Sequence, residues 1–193
     1  MLLYRSQRRD ALEAERRARE MAATSRIEDA VASLLGLEPG PDEVFDLKSR
    51  RHSRKQSTDD LPPAPDQVRL DEWYRRRDDL LLTLETARLD LSNESLRARL
   101  ERAQRALRYP SGPWDIERQP ESMTRRIVCR HALDCVGAFR RGDSLPSEPK
   151  QFAGTVASVD EWIGWQEEQD RYLKEQWAKQ LQARRDSSSP PPE

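Results

Sequence analysis

Apolar residues recur at spacings of three and four along most of this chain, and polar stretches separate one series from the next. The clearest series is Leu70, Trp73, Arg77, Leu80, Leu84, Ala87 and Leu91, with Leu81 beside it. Residues so spaced share one face of a helix, so the series predicts an amphipathic helix with a stripe to cover. Ser92 and Asn93 interrupt it. Their short polar side chains are suited to accept hydrogen bonds from the first free N–H groups of a following helix. That second helix carries Leu96, Leu100, Ala103 and Leu107 on one face and ends before a Pro110-Ser111-Gly112-Pro113 turn. Trp114 and Ile116 come next and are expected to plug the end of a bundle.

A third helix opens at Pro120, which suits a first turn because its missing N–H would have no partner there, and Glu121 meets the positive end of the helix dipole. Ile127, Val128, His131, Ala132, Cys135, Ala138 and Phe139, widened by Leu133 and Val136, make it the most buried of the set. Arg140 and Arg141 in the last turn and Gly142 after it predict a clean stop. After a short connection over Leu145–Pro149, a last helix spans roughly 149–185, with Phe152, Val156, Val159, Trp162 and Ile163 inward. Its later part is polar, and Glu167/Arg171, Asp170/Lys174 and Glu175/Lys179 are spaced to pair along an exposed face.

Upstream the pattern is thinner. Ala11, Ala14, Ala18 and Met21 share a face over residues 5–25, but alanine offers little area to bury. The stripe strengthens at Ile27, Val31, Leu34 and Leu35, then Gly36 and Pro39 end it. Residues 38–67 hold Pro39, Pro41, Pro62, Pro63 and Pro65 around a basic run and have too few apolar side chains to offset the entropy of ordering. No stretch alternates with the period of two that a strand requires. The expected fold is all-α: a small helical bundle of about four helices over 68–185, a detached N-terminal helix over 1–37, a disordered linker over 38–67 and a disordered tail over 186–193.

Composition agrees with a modest helical core. Only 35% of residues are hydrophobic and 36% are charged, against about 45–50% and 25% in ordinary domains. With 34 Lys and Arg against 35 Asp and Glu, the net charge of −1 gives no global field to draw in nucleic acid or an anionic membrane. Such attraction would be local, and the candidate contact for an anionic partner is the linker run of Lys48, Arg50, Arg51, Arg54 and Lys55. It lacks interleaved aromatics for stacking on bases, which disfavours nucleic acid as the partner. Arginine dominates the cations, a bias expected of a GC-rich bacterial genome. There is no apolar run of about 18 residues and no signal peptide, so the expected location is the cytoplasm.

Candidate chemistry narrows to one cluster. His131 and Cys135, four apart, share a helix face, while Cys129 points elsewhere. A structural zinc site wants four ligands, and a nucleophilic thiol wants exposure in electropositive surroundings, for which Arg125, Arg126 and Arg130 are near in sequence. Core packing is the favoured role, since a free cysteine behaves as a small hydrophobe. With 7 glycines there is no phosphate-cradling loop and no G-x-S-x-G. No catalytic, cofactor-binding or metal-ligating residue is assigned, and no cofactor is expected. Trp162, Trp165, Tyr172 and Trp177 line the last helix, and packing in the core or on the chain itself is their favoured role; Trp177 falls in its polar half and is the candidate interface aromatic.

The segment Tyr4-Arg5-Ser6-Gln7-Arg8-Arg9-Asp10, running into an Ala/Glu/Arg helix, resembles the opening of uncharacterised actinobacterial helical proteins, in which it commonly follows a single N-terminal membrane helix. The resemblance covers roughly the first twenty residues and implies an anchor, of which only Leu2-Leu3-Tyr4 stands in this sequence. It implies no activity and no site residues. The expected function is that of a non-enzymatic interaction or scaffold protein presenting long charged helices to a protein partner or to itself. One alternative is the cytoplasmic domain of a membrane-anchored protein whose anchor is missing from this chain. Another is a nucleic-acid-associated regulator that uses the basic linker.

Overall fold

The structure is a computed structural model, and it describes residues 2–40, 66–109 and 120–187. Five helices account for almost all of them: α1 (Leu2–Leu35), α2 (Gln67–Leu89), α3 (Glu94–Arg108), α4 (Glu121–Arg141) and α5 (Lys150–Ser187). There is no strand among the described residues. The chain is an all-α small helical bundle.

The helix ends follow from local chemistry. The Asp66 carboxylate accepts from the Val68 N–H at 3.1 Å and starts α2. The Asn93 side chain accepts from the Leu96 N–H at 2.8 Å and starts α3. Pro120 sits one position earlier than expected, at the N-cap of α4, with Glu121 in the first turn. The end of α4 is a Schellman turn: Gly142 takes φ 75°, the Asp143 N–H donates to the Ala138 carbonyl at 2.9 Å and the Gly142 N–H to Phe139 at 3.1 Å. Only glycine enters that left-handed conformation without a Cβ penalty.

Cross-helix contacts fix an up-and-down order. The Arg26–Asp90 ion pair and the 3.1 Å hydrogen bond from Trp73 Nε1 to the Glu38 carbonyl set α1 antiparallel to α2. Arg88–Glu101 at 2.9 Å and Arg108–Glu85 at 3.0 Å set α2 antiparallel to α3. Arg140–Glu28 at one end and Arg125–Leu37 at the other set α4 antiparallel to α1. Arg105–Asp160 at 3.1 Å and the Tyr109–Trp162 ring contact carry α5 along α3 in the same direction. The core between them holds Ile27, Val31, Leu34, Leu81, Leu84, Leu96, Leu100, Val128, Val136 and Phe152, all fully buried.

The expected detached N-terminal helix is corrected here. The second half of α1 belongs to the bundle core, with Ala23, Ile27, Val31, Leu34 and Leu37 in the same cluster as Leu84 and Val128. The physical reason is side-chain size, because those residues carry enough apolar area to repay ordering, whereas the alanines upstream do not. The boundary at 37/38 also moves. Leu37 is buried and Glu38–Gly40 lie against the Trp73 ring, so the bundle claims the chain through Gly40. Arg125 holds this corner: its buried guanidinium donates to the carbonyls of Leu37 at 2.7 Å and Glu38 at 3.0 Å and lies 5.6 Å from the Trp73 ring centre. The remaining expected linker, residues 41–65, the turn at Pro110–Pro113 with Trp114 and Ile116, and the tail beyond Ser187 lie outside the described residues.

Candidate interaction surface

Two helices are longer than the bundle. α1 first meets a neighbour near Glu20, whose carboxylate accepts from the Ser92 N–H at 2.9 Å, and residues 7–19 before it are exposed. α5 is buried at Phe152, Val156 and Val159, half-buried at Trp162 and Ile163, and, but for half-buried Gln176, exposed from Gly164 through Gln182. Because α1 and α5 both run upward in the helix order, these overhangs leave from opposite ends of the bundle. At 1.5 Å per residue the α5 overhang, residues 164–187, reaches about 36 Å.

The two overhangs differ in what they expose. That of α1 presents alanines, arginines and glutamates, with Leu12 its large apolar residue. Arg9–Glu13, Arg16–Glu20 and Arg19–Glu15 close ion pairs along it. The α5 overhang presents Trp165, Tyr172, Leu173, Trp177 and Leu181, each exposed, Trp177 at 66%. The pairs expected at Glu167/Arg171, Asp170/Lys174 and Glu175/Lys179 are not closed: among the described residues these charges make no ion pair within 4 Å.

The stripe that packs α5 into the bundle does not stop where the bundle stops. Phe152, Val156, Val159 and Ile163 are spaced four, three and four, and the same alternation continues through Gln166, Asp170, Leu173 and Trp177. At about 100° per residue, Trp165, Gln166, Gln169, Asp170, Tyr172, Leu173, Gln176, Trp177, Gln180 and Leu181 lie on one side. Glu167, Glu168, Arg171, Lys174, Glu175 and Lys179 lie on the other. An exposed helix so divided, with its large aromatics on the side where Asp170 is the one charge, is suited to lie against another surface. Trp162 is engaged, its ring centre 6.1 Å from that of Tyr109, whereas Trp165 and Trp177 are not. Leu173 and Leu181 were not singled out from the sequence, although the unbroken spacing beyond Ile163 is the signal that finds them.

The cysteine cluster is placed differently. Cys129, His131 and Cys135 are all buried, and both thiols are free. Cys135 Sγ lies 3.6 Å from His131 Nε2, and the His131 ring packs 4.4 Å from Phe152. Burial pushes the Cys129 thiol up to about 12, with the Arg125 charge pulling weakly the other way. Burial likewise raises Cys135 against the guanidinium of Arg99, and it lowers His131, assisted by Arg99. A thiol so shifted carries almost no thiolate near neutral pH, which is the species a nucleophile or metal ligand must supply. Arg125, read from the sequence as an activating charge, is committed to Leu37, Glu38 and Trp73 instead. Among the described residues no three His, Cys, Asp or Glu side chains gather to hold a metal ion.

Lys48, Arg50, Arg51, Arg54 and Lys55, with His52, lie outside the described residues. Among the described residues no helix is long and apolar enough to cross a membrane. Comparison with protein-family models, with curated proteins and with solved structures finds no match for this chain.

Proposed function

We propose that this chain is a non-enzymatic interaction protein of the bacterial cytoplasm, or of the cytoplasmic face of a membrane, which uses the α5 overhang as its binding surface. The observation that carries the reading is the row of Trp165, Tyr172, Leu173, Trp177 and Leu181 exposed on a helix that has left its own bundle. Water contact with that much aromatic and aliphatic area is unfavourable, at about 25 cal/mol per Å². An isolated helix is also only marginally stable in water. Both costs are removed by a surface that covers the aromatic side. Large exposed aromatics of this kind are the residues on which interfaces concentrate their binding energy. Two buried, free thiols accord with a reducing compartment.

A photo-crosslinking residue at position 177 of the full chain, expressed in cells, tests this reading. It is expected to capture a protein, while the same residue at Ala98, exposed on the bundle surface, captures none. Capture at neither position, or equal capture at both, would remove α5 as the binding surface.

A further inference from the structure

We infer that the occupant of the α5 overhang is the same helix of a second copy of this chain, paired antiparallel about a two-fold axis near Leu173. This rests on the proposal that the overhang is a binding surface and adds what binds it. The charge of the overhang is divided along its length. Residues 164–170 carry Glu167, Glu168 and Asp170 and no cation. Residues 171–187 carry Arg171, Lys174, Lys179, Arg184 and Arg185 against Glu175 and Asp186. Antiparallel pairing sets the acidic block of each copy beside the basic block of the other, twice over by symmetry. Parallel pairing sets like beside like.

Three further observations agree. Glu167/Arg171, Asp170/Lys174 and Glu175/Lys179 make no ion pair among the described residues, although their i,i+4 spacing would allow it, so these charges remain open to a second helix. The three-four alternation that serves α5 inside the bundle persists through Leu173 and Trp177, which is the pattern two packed helices share. An axis near Leu173 sets Glu167 of each copy level with Lys179 of the other, and Arg171 level with Glu175. The interface is isologous, which is the commonest way for a chain to close on itself.

The test uses the full chain. Sedimentation equilibrium is expected to give twice the 22.5 kDa chain mass as concentration rises. The variants Glu167→Lys/Glu168→Lys/Asp170→Lys and Arg171→Glu/Lys174→Glu/Lys179→Glu, which alter exposed positions, are each expected to lose the dimer, and their equimolar mixture is expected to regain it. Direction is read from Gln166→Cys and Gln180→Cys, placed symmetrically about Leu173, against native thiols that are buried. Oxidation of the mixture is expected to give a covalent dimer, and oxidation of either variant alone is not. A wild-type chain that stays at single mass to its solubility limit overturns self-pairing; if position 177 still captures a different protein in cells, the overhang remains a binding surface with another occupant. Cross-linking of each cysteine variant with itself and not in the mixture overturns the antiparallel arrangement.

Discussion

The two overhangs differ in the size of the side chains they leave bare. Both are helical continuations of packed segments. In α1 the bare stretch carries alanine where the packed stretch carries Ile27, Val31 and Leu34. In α5 the bare stretch carries Leu173, Trp177 and Leu181, as large as the Phe152, Val156 and Val159 that the bundle covers. An overhang of small residues and closed ion pairs is at home in water. An overhang that keeps core-sized side chains exposed and open charges is, on the reading proposed, half of an interface. Two helical extensions of one bundle can thus differ in the apolar area they leave in water, which helix length alone does not reveal.

The largest expected effect lies inside the bundle. Phe152→Ala removes a fully buried ring and is expected to cost about 3–5 kcal/mol in chemical denaturation. Trp177→Ala, with the chain dilute enough to be single, is expected to change stability by no more than about 0.5 kcal/mol. A comparable loss from both would mean that α5 packs on its own bundle throughout. The α1 pair comes next: Ile27→Ala, fully buried, is expected to cost about 2–5 kcal/mol. Leu12→Ala, 59% exposed, is expected to cost no more than about 0.5 kcal/mol. Equal values would make all of α1 one kind of helix.

Arg125→Met keeps the bulk against Trp73 and removes the donors to the Leu37 and Glu38 carbonyls. The expected loss is about 1–3 kcal/mol, with faster proteolysis after Leu37 as the accompanying sign. A smaller effect concerns pH. Burial lowers the pKa of His131, so the unfolded chain takes up a proton, near pH 6.5, before the folded one does. The folded state is therefore favoured fully above that pH and loses stability as pH falls through it. The melting temperature is expected to fall between neutral pH and pH 5, and His131→Gln should flatten that slope. An unchanged slope would mean that other groups set the pH dependence.

The sequence made most of the bundle legible, because its signals are local. Leu84, Leu96, Leu100 and Val128 were assigned inward by spacing alone, and Asn93 and Gly142 marked helix ends by their own chemistry. The attachment of α1 was not legible, although Ile27, Val31 and Leu34 were visible as a stripe. A polar, proline-rich segment after them reads as separation, yet its composition says nothing about where its two ends are held. Arg125 was misread for a related reason: a cation beside cysteines in sequence says nothing of the carbonyls of Leu37 and Glu38 that meet it in space. On α5 the charges around Trp177 marked it as a candidate for exposure, although packing was the favoured reading, and the ring is exposed. Which aromatics leave the bundle was not legible, since the stripe spacing runs on in phase past the point level with the end of α3.

Hydrogen exchange along α5, measured on the full chain at low and at high concentration, tests the central claim most directly. Residues 150–163 are expected to exchange slowly at both concentrations, because the bundle covers them. Residues 164–182 are expected to exchange rapidly when the chain is dilute, as an uncovered helix does, and to become protected when it is concentrated. Protection that is equal in the two halves and independent of concentration would contradict the account, because the overhang would then need no second chain.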